Sequence, residues 1–163
     1  MAKNKTEIHV TTVFDGELDA TDVFVSLISQ KYGKINTKEF LDELRKTTQV
    51  IIISDTFTQF AAPLMEKLGW PTIFCNSLEV AENGEITGFK MRIENSKYTT
   101  VKALQSIGYE TIASGDSYND LGMIQASKAG FLFKSTEQIK KDHPELPAFE
   151  EYDELLAAIK KAL

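Results

Sequence analysis

The chain has 163 residues, of which 18 are lysine or arginine and 24 are aspartate or glutamate, so its formal net charge is −6. This length is typical of one folded domain, and an apolar content of 42% is enough to fill a single core. An acidic chain without a basic cluster argues against nucleic acid as a partner. The lone cysteine, Cys75, excludes an internal disulfide and indicates a buried thiol in a reducing compartment.

No apolar run reaches the length of about 18 residues that a membrane-spanning helix needs. Residues 1–7 are not followed by an apolar stretch of signal-peptide length. We therefore expect a cytoplasmic protein with no membrane partner.

Apolar runs alternate with segments of helical periodicity, which predicts an α/β fold with a parallel, doubly wound sheet and helices on both faces. The predicted strands are Ile8–Phe14, Val50–Ser54, Thr72–Cys75, Thr111–Ser114 and Phe131–Phe133. The predicted helices are Thr21–Tyr32, Thr37–Thr47, Ala62–Leu68, Lys97–Ile107, Asp120–Ser127 and Tyr152–Leu163. Because proline fits only the first turn of a helix, Pro63 predicts that the third helix begins near Ala62 or kinks there.

Two short alternating runs, Leu78–Val80 and Ile86–Arg92, flank Glu82-Asn83-Gly84-Glu85. Asn-Gly between such runs is typical of a tight turn, so the sequence predicts a small β-hairpin here. The one junction that the composition indicates is Gly33–Asn36. It separates residues 1–36, an atypical strand–helix segment, from residues 37–163, and the whole chain is expected to form one compact domain.

The segment Gly115-Asp116-Ser117-Tyr118-Asn119-Asp120 follows a predicted strand and opens a predicted helix. Asp116 would lie at the carboxyl end of that strand, where open α/β sheets bind ligands. Asp120, one helical turn later, could reach the same ion or its waters. Two carboxylates at one strand end favour a divalent cation such as Mg²⁺. The alternative is that Asp116 and Ser117 simply cap the helix that begins near Asn119.

A second strand, turn and helix unit lies upstream, at Ser54-Asp55-Thr56. Such a turn offers backbone N–H groups and a hydroxyl to an anion, which suits a phosphate at a helix N-terminus. Lys97 precedes another predicted helix and could neutralise phosphate charge as a point cation. Taken alone, a lysine there is more often a solvated surface residue.

The order and spacing of three motifs resemble those of the haloacid dehalogenase-like phosphatase superfamily. The motifs are Ser54 after an apolar strand, then Lys97, then Gly115-Asp116-Ser117-Tyr118-Asn119-Asp120. The stretch Ser54–Thr72 extends the resemblance to the phosphoserine phosphatase branch, and within it to the bifunctional phosphoserine phosphatase and homoserine phosphotransferase proteins. The similarity runs from near Thr37 to the end of the chain. It implies a haloacid dehalogenase-like, Rossmann-like sheet.

The resemblance also implies a role for each matching position that would contact phosphate. Ser54 would donate a hydrogen bond to the phosphoryl group, with Asp55 and Thr56 in the same phosphate-binding turn. Lys97 would stabilise the phosphoryl charge.

The same resemblance implies a Mg²⁺ cofactor. Asp116 would bind the ion, and Asp120 would support it from the same loop. Gly115 and Asn119 are supporting residues of this loop.

The first part of the chain departs from the family pattern, which has a buried strand ending in Asp-x-Asp or Asp-x-Glu and then a helical cap before Ser54. The nearest candidates are Asp15 as the nucleophile, also a metal ligand, and Glu17 as the second acid. The segment between Asp15 and Ser54 has room for one helical crossover and no cap domain. Ile8–Phe14 alternates apolar and polar residues, which is typical of a half-exposed strand and not of a central parallel one. The alternative is that Asp15 is a turn residue.

Two functions follow as hypotheses. In the first, Asp15 attacks a phosphate monoester to form an aspartyl-phosphate, Glu17 protonates the leaving group, and water or homoserine accepts the phosphoryl group. The partner is then a small phosphorylated metabolite, and without a cap the site is open and permissive. In the second, the chain is an inactive remnant of the fold whose N-terminal segment serves association. An exposed sheet edge would favour such pairing, so a homo-oligomer is compatible with the sequence.

Overall fold

The structure, a computed structural model, describes residues 37–163. The predicted strand Ile8–Phe14 and the predicted helix Thr21–Tyr32 lie outside the described residues. The division of the chain at residue 36 stays a prediction.

Helices and strands alternate through the described residues. The helices are α1 (Thr37–Arg45), α2 (Thr58–Lys67), α3 (Ser96–Ser106), α4 (Leu121–Ala126), α5 (Glu137–Asp142) and α6 (Tyr152–Ala162). The strands are β1 (Ile51–Phe57), β2 (Thr72–Val80), β3 (Ile86–Lys90), β4 (Ile112–Gly115), β5 (Ala129–Phe133) and β6 (Ala148–Phe149). A 3₁₀ turn, Tyr118–Asp120, leads into α4. The α/β class predicted from the sequence is confirmed.

The six strands form two three-stranded sheets, ordered β1-β2-β3 and β4-β5-β6. β1 and β2 pair in parallel, as do β4, β5 and β6. β3 runs antiparallel to β2 and forms the predicted hairpin, with Gly84 at φ +86° in its turn. Within residues 37–163 no backbone pairing joins β1 to β4.

Side chains of β1 alternate between two apolar layers, as the period of a strand requires. Ile52 packs against the buried residues of α1 and α2, among them Leu41 and Met65. Ile53 points the other way and packs against a cluster that contains Val101 of α3. Helices therefore cover both faces of this sheet.

β5 shows the same alternation in the second sheet. Phe131 packs with Leu155 of α6 and Leu44 of α1, whereas Leu132 packs with Ile139 of α5. Because α1 contacts the clusters of both sheets and Ile53 shares a cluster with Leu132, the two helical layers continue from one sheet to the other. The predicted arrangement of helices on both faces of a parallel sheet is confirmed.

Helix α2 begins at Thr58, and not near Ala62 as the sequence predicts. Thr58 Oγ1 donates a hydrogen bond to the Asn76 carbonyl at 3.0 Å, and Gln59 exchanges two hydrogen bonds with the backbone of Leu78. These contacts fix the first turn on β2. Pro63 consequently lies inside the helix.

Two short elements are not predicted from the sequence. Helix α5 has a single buried apolar residue, Ile139, so it shows no helical period, and the side chain of Thr136 caps it. Strand β6 has two residues and pairs with β5 directly after Pro147. β2 is also longer than predicted, because it continues without interruption from its pairing with β1 into the hairpin.

The stretch from residue 37 to β1 contains only helix α1, so no cap lies in that part of the chain. The rest of the segment in which a cap is expected to be missing lies outside the described residues. In residues 37–163, no helix combines the length and the apolar character that crossing a membrane requires.

Candidate functional site

The carboxyl ends of β1 and β4 carry the polar residues that the sequence singles out. Ser54–Thr56 occupy the last part of β1, and Asp116 directly follows β4. Lys97, the second residue of α3, connects the two strand ends. Its Nζ lies 2.7 Å from Oδ1 of Asp120 and 3.4 Å from Oδ2 of Asp55.

Asp120 is the organising residue of the loop after β4. Its Oδ2 accepts hydrogen bonds from the backbone N–H of Asp116, at 3.0 Å, and from the backbone N–H and the hydroxyl of Ser117, at 3.0 and 2.9 Å. Its Oδ1 accepts the bond from Lys97. Both oxygens of this buried carboxylate are therefore engaged within the protein, so a direct role in metal binding remains a prediction.

The charges of Lys97 and Asp120 support each other in a site that is largely closed to water, with side chains 14% and 6% exposed. Burial alone would raise the pKa of Asp120, but the hydrogen bond and charge of Lys97, with the donors of Ser117, hold that pKa below its usual value. Burial would lower the pKa of Lys97, but Asp120 and then Asp55 raise it above the usual lysine value. Near neutral pH both groups are charged.

Gly115 allows this arrangement because it has no side chain. A Cβ at this position would lie 2.4 Å from both Cβ and Cγ of Asp120, which is closer than any ordinary contact. The loop can fold the Asp120 carboxylate back over the strand end only with glycine here. The role of Gly115 as a supporting residue of a metal-binding loop stays a prediction.

Ser54 lies where β1 and β2 lose their regular register. Ile53 pairs with Phe74 and Phe57 with Asn76, so three residues of β1 face one residue of β2. Within this bulge the Ser54 hydroxyl accepts a hydrogen bond from the backbone N–H of Thr56 at 3.3 Å. Its own proton is left to donate to an anion.

Asp55 differs from the other residues of the bulge because its side chain cannot donate to phosphate at neutral pH. The carboxylate is half exposed and faces the Lys97 ammonium. Any contact with phosphate from this position would have to come from backbone N–H. Its assignment to phosphate binding, and that of Thr56, are not tested by the structure.

Asp116 supplies the one carboxylate of this loop that is left to bind a metal. It is exposed and makes no side-chain hydrogen bond or ion pair with another described residue. Asn119 is exposed as well. An exposed carboxylate beside hydroxyl and backbone oxygens is a donor set that would suit Mg²⁺, a cation that usually takes its remaining ligands from water and phosphate.

Residues 37–163 alone do not complete a metal site, since no three His, Cys, Asp or Glu side chains of that range converge. The predicted nucleophile Asp15 and the predicted acid Glu17 lie outside the described residues. Their roles, including Asp15 as a metal ligand, stay predictions.

The sequence analysis does not single out Asn76, which is 3% exposed in β2. Its amide Nδ2 donates to the carbonyl of Asp55 at 2.9 Å, so it contacts the bulge directly. An asparagine directly after the apolar run Ile73-Phe74-Cys75 is a signal that could have revealed it, because a buried amide requires hydrogen-bond partners.

The fold and the site together define a Rossmann-like α/β protein with a lysine, a hydroxyl and carboxylates at the carboxyl ends of β1 and β4. The sequence profile of the haloacid dehalogenase-like hydrolases matches residues 15–125, which is more than half of the chain. The chain belongs to this family.

Its similarity to phosphoserine phosphatases is also direct. It is 41% identical over 124 residues to the phosphoserine phosphatase ThrH of Pseudomonas aeruginosa, a match that covers 76% of this chain and 60% of that protein. The chain thus spans less than two thirds of this relative.

Solved structures give the same result for the fold. A substrate-bound phosphoserine phosphatase is 26% identical with a TM-score of 0.60, over 77% of this chain and 61% of the other. A phospho-aspartyl intermediate analogue of phosphoserine phosphatase is 28% identical with a TM-score of 0.55, over 70% of this chain and 57% of the other. These neighbours and the family match show that the chain is similar to phosphoserine phosphatases.

Proposed function

We propose that the protein is a Mg²⁺-dependent phosphate monoester hydrolase of the phosphoserine phosphatase type. The observation that carries the proposal is the position of Lys97, whose ammonium is held by Asp120 and Asp55 between the carboxyl ends of β1 and β4. A fixed cation that contacts Asp55, the residue after Ser54, suits a phosphoryl group. The similarity to phosphoserine phosphatases supports the same substrate class.

Lys97 and Ser54 stabilise the charge that spreads over the phosphoryl oxygens during transfer. Preorganised donors at such a site usually supply the largest part of the catalysis. Asp120 keeps Lys97 in place and protonated, because it is the nearest anion to the ammonium and is itself held by three donors of its own loop.

Asp116 holds the Mg²⁺ ion in this proposal, with Asp15 as a second ligand and Asp120 supporting the loop. When bound, the ion neutralises negative charge on the phosphoryl oxygens.

Asp15 is the proposed nucleophile. Its carboxylate oxygen forms a bond to phosphorus while the bond from phosphorus to the ester oxygen breaks, and Glu17 gives a proton to the departing alkoxide. Water then attacks the aspartyl-phosphate and releases phosphate, or the hydroxyl of homoserine takes the phosphoryl group instead. The phosphoserine phosphatase captured as a phospho-aspartyl intermediate analogue supports this route by similarity.

The predicted strand Ile8–Phe14 would then lie between β1 and β4. This position would bring Asp15 to the same edge as Ser54 and Asp116, because the carboxyl ends of parallel strands meet there. The start of the family match at residue 15 supports the assignment of Asp15 to this family's sheet.

Phosphoserine is the proposed substrate, and serine biosynthesis in the cytoplasm is the metabolic role that goes with it. The comparisons do not support the catalytically inactive alternative.

The test is Mg²⁺-dependent hydrolysis of phosphoserine and p-nitrophenyl phosphate by the wild type, Asp15→Asn and Asp116→Asn. Both variants should lose about a thousandfold in kcat/KM, as expected for a nucleophile and a metal ligand. Asp19→Asn, which removes another acid of the N-terminal segment, is the matched control and should keep wild-type activity. A folded wild type without activity, or an active Asp15→Asn variant, would refute the proposed mechanism.

A further inference from the structure

Asn76 connects two parts of the site that are distant in sequence. Its Nδ2 donates to the Asp55 carbonyl in the β1 bulge at 2.9 Å, and its Oδ1 accepts from the backbone N–H of Arg92 at 3.0 Å. The side chain is buried, so both polar ends of the amide are satisfied by protein.

The first of these bonds replaces a backbone contact that the bulge has lost. The parallel register between β1 and β2 breaks between Ile53 and Phe57, which leaves the carbonyl of Asp55 outside the regular ladder. The amide of Asn76 satisfies that carbonyl. The shape of the segment that presents Ser54 therefore depends on this side chain.

The second bond leads to the helix that carries Lys97. The guanidinium of Arg92 stacks 4.7 Å over the ring of Phe74 and donates to Ser96 Oγ at 3.0 Å. It also donates to the hydroxyl of Thr100. Ser96 and Thr100 are both buried in the first turns of α3, one residue before and three residues after Lys97.

We infer that Asn76, Arg92 and Thr100 form a positioning network that holds the Ser54 bulge and the Lys97 helix in register with each other. All three are positioning residues, which act through Ser54 and Lys97. Asn76 fixes the backbone at Asp55, and Arg92 transmits that position to α3. The network deepens the proposed function, because it sets the separation between a hydroxyl donor and an ammonium that contact the same phosphoryl group.

The first test needs no activity and measures amide hydrogen exchange by mass spectrometry in the wild type and in Asn76→Ala. Exchange in peptides covering residues 54–57 and 92–100 should become about tenfold faster, because the Asp55 carbonyl and the Arg92 N–H lose their partner and the two segments open more often. Peptides from β4 and β5 should not change. Asn83→Ala, at an exposed asparagine in the turn of the same hairpin, is the matched control. It removes a hydrogen bond from the Glu85 N–H within the turn and should leave the peptides covering residues 54–57 and 92–100 at wild-type rates.

The second test uses a pair of substitutions at Thr100 and measures kcat, KM and inhibition by inorganic phosphate. Thr100→Val removes the hydroxyl that accepts from Arg92 at nearly constant volume, and Thr100→Ser keeps it. Thr100→Val should raise the phosphate inhibition constant and lower kcat/KM, each about tenfold, whereas Thr100→Ser should stay within about twofold of the wild type. A merely structural role would lower the amount of folded enzyme and leave KM and the inhibition constant unchanged.

Uniformly faster exchange over the whole chain in Asn76→Ala, or unchanged exchange at residues 54–57, would refute the inference that these residues form a positioning network. So would equal kinetic constants for Thr100→Val and Thr100→Ser. If the wild type hydrolyses no phosphate ester, the proposed function fails, and the exchange experiment still decides whether Asn76 holds the bulge.

Discussion

The Nζ atom of Lys97 lies 2.7 Å from Oδ1 of Asp120, and both side chains are largely closed to water. The contact joins the first turn of α3 to the loop after β4, so it ties two segments of the site together. Each group keeps the other charged, since the pKa of the carboxyl is held low and that of the ammonium high. Stability and site geometry are therefore linked through one ion pair.

Removing Lys97 should destabilise the protein. Lys97→Met leaves the buried carboxylate of Asp120 without its cation, which typically costs about 3 kcal/mol in the free energy of unfolding. Lys102→Met, on the exposed side of the same helix, is the matched control and should cost less than about 0.5 kcal/mol. Urea unfolding measures both values, and equal losses would show that the ion pair does not stabilise the fold.

The free energy of unfolding should also depend on pH through Asp120 and Lys97. The folded-state pKa of Asp120 lies below its reference value of 3.8, so its contribution is present above that pH and is lost as the pH falls through the folded-state pKa. The pKa of Lys97 lies above 10.5, so its contribution is complete below 10.5 and is lost only at higher pH. Between these limits the pair contributes fully.

The measurement is the difference in unfolding free energy between the wild type and Asp120→Asn from pH 2.5 to pH 7. The wild type should be the more stable at neutral pH, and the difference should shrink below about pH 4 as the carboxylate of the wild type is protonated. A difference that stays constant down to the lowest pH would mean that the charge of Asp120 is not what stabilises the site.

Sequence alone indicates most of the site because its residues sit at strand ends. Ser54 and Asp116 each follow a short apolar run, and open α/β sheets bind ligands outside the carboxyl ends of such strands. The bond between Lys97 and Asp120 is not visible in the sequence. It depends on how α3 packs against the loop after β4, and side chains far apart in sequence carry no periodic signal of such packing.

Helices with a long apolar period, such as α3 and α6, can be predicted from the sequence. Elements whose bounds depend on tertiary contacts cannot. Helix α2 begins at Thr58 because the hydroxyl of that residue and the amide of Gln59 bond to β2, a cause that local propensity cannot show. The role of Asn76 is not predicted for the same reason, since it comes from the two backbone groups to which the side chain bonds.

Gly115→Ala should disturb the site without straining the backbone, because Gly115 does not have a positive φ. The added Cβ would collide with Asp120, so the carboxylate must move and its bond with Lys97 must lengthen or break. We expect a loss of about 2 kcal/mol in unfolding free energy, as for other overpacked positions, together with a large loss of phosphatase activity.

Gly122→Ala is the matched control for this substitution. A Cβ there would approach the Cβ of Tyr98 to 3.4 Å, which requires little adjustment, and the position lies in helix α4. Its unfolding free energy should stay within about 1 kcal/mol of the wild-type value, because alanine has a higher helix propensity than glycine. Comparable losses in both variants would point to general crowding instead of a displaced Asp120.

Asp116→Asn should leave the metal-free protein as stable as the wild type, because the carboxylate is exposed and bonds to no other described residue. Addition of Mg²⁺ should raise the melting temperature of the wild type, since a ligand that binds only the folded state stabilises it by about 2.7 kcal/mol at a hundred times its dissociation constant. The variant should show little of this rise. Glu82→Gln, which neutralises an exposed acid in the distant hairpin turn, should respond to Mg²⁺ as the wild type does. An equal rise in the wild type and Asp116→Asn would mean that Asp116 does not hold the ion, whatever the activity measurements give.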